Sequence, residues 1–119
     1  MTQLFDRDIL HPILAKWLRG TTCYTYWVGR SVLLENDDYI VLKHNSHASY
    51  CGRFSDNLAC RAFAALYRKS DLSVDDKGYN RNLDQGVGSV KRWEGRINKS
   101  VVRDDCQQMG IVFTSETPI

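Results

Sequence analysis

The sequence predicts an α+β fold. It reads as a small antiparallel sheet of three or four strands, with a central hairpin over about residues 31–44, packed by three helices in the order α-β-β-β-α-α-β. Three observations predict it. Apolar residues recur at helical spacing in three separate segments. A run rich in aromatic and β-branched residues lies between the first two of these. A polar turn divides that run into two facing halves.

The first element, "LFDRDILHPILAKWLRG", spaces Phe5, Ile9, Ile13 and Trp17 four apart, with Leu10, Leu14 and Leu18 beside them. Such a stripe predicts a helix. Pro12 suits its first well-formed turn and Gly20 its end. "TTCYTYWVGRSVLLENDDYIVLKHN" then predicts strands, with "ENDDY" as the turn and Gly29 as a break or bulge before the hairpin. With Asp37 and Asp38 at the tip, Leu34 faces Val41 and Leu33 faces Leu42. "FSDNLACRAFAALYRKS" predicts a second helix. Ser55 is its N-cap, Asp56 sits at the positive end of its dipole, and Leu58, Ala59, Ala62, Phe63 and Leu66 form its buried side. "DLSVDDKGYNRNLDQGVG" reads as a loop. "SVKRWEGRINKSVVRDD" predicts the third helix, with Val90, Trp93, Ile97 and Val101 inward and Gly95 as an unfavourable interior residue. Gly110 allows a turn into a last strand, "IVFTSE".

A chain of 119 residues is expected to form a single globular domain over 1–119, with a core that needs no staples. The net charge is +2, from 16 basic and 14 acidic side chains, so any affinity for phosphates must come from local clustering. No apolar run approaches the roughly 20 residues of a membrane span, and no secretory signal is visible. A cytoplasmic location with reduced thiols is therefore expected for the four cysteines, which include no CxxC.

Two constellations could carry chemistry. "HNSHASYC" sets His44, His47 and Cys51 close together, with Cys60 nine residues on. These are zinc-ligand types, and four of them could close a tetrahedron. Their spacing fits no common zinc module, however, and a cysteine nucleophile would also need an oriented imidazole and a third group. Packing is the better account, so no metal and no cofactor is expected, with zinc as the alternative. The second constellation is cationic. On an ideal helix Arg92, Arg96, Lys99 and Arg103 fall within about 60° of one another, opposite Trp93, Ile97 and Val101. The preceding loop adds Lys77, Tyr79 and Arg81. Such a ridge could meet phosphates or an acidic protein surface, or could simply be solvated.

Other signals fall away. Tyr24 and Tyr26 alternate on a strand but lack the full pattern of an RNA-stacking sheet. "NRNLDQG" misplaces its glycine for a calcium loop and offers Lys91 where a bidentate Glu is needed. "GVG" is a lone GxG, and there is no P-loop, GxSxG or HExxH. A chain without a catalytic signature points to a non-catalytic binding protein, an adaptor or inhibitor that occludes the surface of another protein or of a protein–nucleic acid complex. In size and motif poverty it is similar to accessory proteins of phages and mobile elements, anti-CRISPR inhibitors among them, although no residue carries that likeness. A nucleic-acid binder using the basic helix face is the alternative, and a small zinc-binding or Cys/His enzyme the second. No contact with a membrane is expected.

Overall fold

The computed structural model describes residues 8–16, 23–50, 58–72, 78 and 80–114. Among them runs an antiparallel sheet of five strands in sequence order: β1 (Ile9–Lys16), β2 (Cys23–Glu35), β3 (Tyr39–Tyr50), β4 (Leu58–Arg68) and β5 (Lys91–Glu94). A 3-10 turn covers Lys69–Asp71, and two helices follow, α1 (Arg81–Asp84) and α2 (Lys99–Gln108). The α+β class holds. The expected three helices, the three or four strands and the order α-β-β-β-α-α-β do not.

Each difference has a physical reason. The first segment is strand β1, not a helix. A separation of four is also a multiple of two, so Ile9 with Ile13, and Leu10 with Leu14, satisfy a strand face as well as a helical stripe. β1 stands at the end of the strand order, where proline is tolerated, and Pro12 pairs with Trp27 without breaking the register. The second expected helix is strand β4. Its stretch 62–67 is buried or half-buried on both sides of the sheet, so it shows no alternation of apolar and polar residues. A short, doubly buried strand cannot be told from a helix by periodicity. The third expected helix is split. Gly95 adopts φ +82°, which a helix cannot pass through, so β5 ends at Glu94 and α2 begins only at Lys99. Residues 111–114 form no strand, but Ile111 and Phe113 are buried in the core.

The hairpin forms where expected, with Leu34 opposite Val41. Leu42 pairs with Val32 instead of Leu33, because the register shifts between Val32 and Leu34. The bulge is therefore at Leu33. Gly29 is regularly paired with Leu10, and a Cβ there would lie 2.8 Å from the carbonyl oxygen of Ile9. The bulge has a packing consequence: Val32 and Leu34, which would otherwise share a face, serve opposite cores.

Two apolar layers flank this end of the sheet. On one face Leu34, Val41, Ala64 and Leu66 meet Val102 and Cys106 of α2, with Ile111 and Phe113 closing the layer. On the other, Ile40, Leu42, Phe63, Ala65 and Tyr67 meet Leu83 of α1. Each fully buried large side chain contributes roughly 1.5–3 kcal/mol. The four residues of α1 are too few to hold a helix alone, so α1 depends on what fastens it to the sheet.

Candidate functional site

The fastening is polar. One row crosses the sheet through Arg30 of β2, His44 of β3 and Phe63 of β4, each opposite the next. Arg30 and His44 are the buried polar residues on this face. Arg30 Nη1 donates to Asp84 Oδ1 at 2.9 Å and Nη2 to the Gly78 carbonyl at 3.0 Å. His44 Nε2 lies 3.0 Å from the Tyr67 hydroxyl, which donates to the Leu83 carbonyl at 3.0 Å. His44 Nδ1 stands 3.7 Å from Asp84 Oδ1, beyond hydrogen-bond range. The imidazole also stacks on Phe63 at 4.7 Å, and the Arg92 guanidinium covers the same ring at 3.8 Å. Locally, α1 is set by Asn80, whose side chain accepts from Leu83 N.

The charges follow from this geometry. Desolvation holds the His44 pKa below the ordinary histidine range; Asp84 pulls the other way, and Arg30 and Arg92 reinforce the lowering. A charge-assisted hydrogen bond to Asp84 would gain about 1.5–3 kcal/mol, whereas burying another ion costs several. Burial wins and His44 is neutral. For Asp84 burial acts upward, but the hydrogen bond and charge of Arg30 and the Asn80 N–H outweigh it and keep the carboxyl below its usual range; the His44 contact at 3.7 Å is too long to add a donor. Burial drives the Tyr67 phenol upward.

A second feature lies on the other side of β5. A groove of about 360 Å³ runs between β5 and α2, lined by the apolar Trp93, Ile97, Val101 and Val102 and by the polar Arg92, Glu94, Arg96 and Asn98. Gly95 supplies the turn that opens it. Asn98 caps α2 by accepting from Ser100 N and Val101 N, and Trp93 Nε1 donates to Asp105 at 2.8 Å, joining strand to helix. Lys91 lies 5.5 Å from the Trp93 ring. Val101 is about half exposed, at 51%. The result is an apolar patch edged by Arg96 and by the Arg92–Glu94 pair, between a strand and a helix.

The expected basic ridge does not exist as one helical face, because the segment is not one helix. Arg92 sits in β5, where it pairs with Glu94 and donates to the Gln85 carbonyl at 2.9 Å. Arg96 is exposed in the turn, Lys99 is exposed at the start of α2, and Arg103 is half-buried along it. Arg81 is exposed at the start of α1. Lys77 and Tyr79 lie outside the described residues. Trp93 and Ile97 do turn inward, half-buried, but from strand β5 and from the connection before α2, not from one helix.

The His/Cys cluster is also rearranged. His44 turns its two nitrogens to Tyr67 and Asp84. His47 lies an odd three positions along the same strand and is the register partner of Cys60. Cys60 is on strand β4, not on a helix. Cys51 lies outside the described residues. Among the described residues no three His, Cys, Asp or Glu side chains gather as a metal ion would need. No helix of the described residues is long and apolar enough to cross a membrane.

Sequence reasoning missed Arg30, Tyr67 and Asp84. Arg30 did leave a signal: it is a lone charge inside the apolar strand "YWVGRSVLL", and such a charge is buried only with a partner. Asp84 was considered only as a calcium ligand. Comparison with protein-family models, curated proteins and solved structures returns no match.

Proposed function

We propose that the chain is a non-catalytic binding protein that acts by occluding a surface of another protein, and that its contact face is the groove between β5 and α2. The observation that supports this reading is the groove itself, where Trp93, Ile97 and Val101 present apolar surface beside the exposed cation Arg96, with Arg92 already paired to Glu94. Tryptophan and arginine at a pocket are the residue types that dominate protein recognition. Lys99, exposed beside the groove, adds to its positive margin. The partner surface that fits is an apolar side chain flanked by carboxylates. The buried Arg30–Asp84–His44 cluster serves the fold in this reading, since it has almost no exposure to a substrate.

The test is a pull-down from the native cells with mass spectrometry, with and without nuclease, using the wild-type chain beside Arg96→Glu and Val101→Asp. Both substitutions are at exposed positions. The expected result is a defined protein that survives nuclease and is lost with either variant. Loss of all captured material on nuclease treatment would instead give the nucleic-acid reading, in which affinity falls steeply with salt. Capture unchanged by both variants would remove this face from consideration.

A further inference from the structure

We propose that His44 is the proton sensor of a latch: when its imidazole takes up a proton, α1 releases from the sheet while the sheet stays folded. The argument is a count of hydrogens. From Asp84 through His44 and Tyr67 to the Leu83 carbonyl there are three contacts, and both ends are acceptors. A neutral imidazole and a phenol supply two hydrogens between them. The distances show where they go. The contacts at His44 Nε2 and at the Leu83 carbonyl are both 3.0 Å, whereas Nδ1 stands off at 3.7 Å with no hydrogen-bond partner. The network is therefore assembled around an imidazole with its proton on Nε2 and a bare Nδ1.

A second proton would go on Nδ1, the position that faces Asp84. It would also place a cation directly opposite Arg30 in the ladder, behind one carboxylate that Arg30 already holds. Among the described residues the charged and titratable groups facing His44 are Arg30 from β2, Tyr67 from β4, Asp84 from α1 and, across Phe63, Arg92 from β5. Two of the four are cations, and the one carboxylate is shared. The site is dry, so the charged imidazole gains more by reaching water than by staying. The part that can move is α1. Its Leu83 and Asp84 are what cover His44 and Tyr67, and it cannot persist as a helix once detached. β3, by contrast, is paired on both sides.

Amide hydrogen exchange tests this across pH 5–8, corrected for the intrinsic pH dependence of exchange. The reporters are Asp84, Gln85 and Val87, whose N–H groups bond within the α1 segment, and Val41 and Leu66 serve as sheet controls. The expected result is a protection of α1 that falls about tenfold per pH unit below the ordinary histidine range, the slope of one proton taken up on opening, with the sheet unchanged. His44→Gln, which cannot take the charge, is expected to lose that slope. The wild-type His44 ring resonance, followed by NMR, is expected to titrate together with the loss of protection, and this holds even if the variant fails to fold. The proposal is overturned by flat protection in the wild type, by a slope retained in His44→Gln, by α1 and sheet opening together, or by a charged His44 ring beneath a still-protected α1.

Discussion

Arg30 and His44 stand directly opposite each other in the β2–β3 ladder, and both turn toward a single carboxylate, Asp84, at 2.9 and 3.7 Å. One acidic side chain on a four-residue helix thus meets two basic residues of the sheet, a polar contact set beside the apolar core of the same face.

Asp84→Ala is expected to destabilise the fold by about 1.5–3 kcal/mol, because it removes the carboxylate that accepts from Arg30 Nη1. The double variant Arg30→Met/Asp84→Leu is expected to recover much of that loss. Urea unfolding of the two singles and the double measures it. A single variant costing less than about 1 kcal/mol would mean that the pair behaves as a solvated one.

Stability is expected to fall with acid in two stages, and the sign follows from two lowered pKa values. Between its folded and ordinary values His44 binds a proton only when released or unfolded, so stability is full above the histidine range and declines as pH falls toward the folded value. Asp84 contributes stability that is present above the ordinary carboxylate range and lost as pH falls through its own lower value. Urea midpoints across pH map both stages, and His44→Gln should flatten the upper one alone.

Tyr67→Phe removes the hydroxyl that links His44 to the Leu83 carbonyl. The expected cost is about 1–3 kcal/mol, because the carbonyl and the imidazole are left buried without that partner. Thermal melting at neutral pH reads it, and no loss would mean that water replaces the hydroxyl.

Cys106 is fully buried on the inward face of α2, and burial pushes its thiol up to about 11. It is expected to resist alkylation at neutral pH in the folded protein and to react quickly in denaturant. Site-resolved mass spectrometry after iodoacetamide treatment decides, and rapid native labelling would show that α2 opens readily.

Gly95→Ala is expected to cost about 1 kcal/mol, since φ at this position is +82° and a Cβ would meet nothing within 4 Å. The penalty is conformational alone, so it should appear in the unfolding midpoint without new strain elsewhere. An unchanged midpoint would place the turn in another conformation.

Much of the hairpin was legible because its turn chemistry and its two apolar halves agree, down to Leu34 against Val41. The bulge at Leu33 was not, because nothing local distinguishes Leu33 from its neighbours; it is required by cores on both faces. β1 reads as a helix because a spacing of four fits both periods, and β4 because a strand buried on both faces shows no alternation; the sheet environment that decides in each case is non-local. The sequence puts Trp93 and Ile97 inward and Arg96 on a cationic ridge, but all on one helix, which Gly95 breaks. The buried network was least legible. Asp84 is distant in sequence from both Arg30 and His44, and only the folding of α1 onto the sheet brings them together.

Pro12 lies in β1, the strand at the end of the described order, and its backbone nitrogen carries no hydrogen. At this position the backbone can accept a rung of a ladder but cannot donate one. Proline in a terminal strand is one of the devices that discourage edge-to-edge pairing between copies, so the residue that suits a helical first turn serves equally at the margin of a sheet.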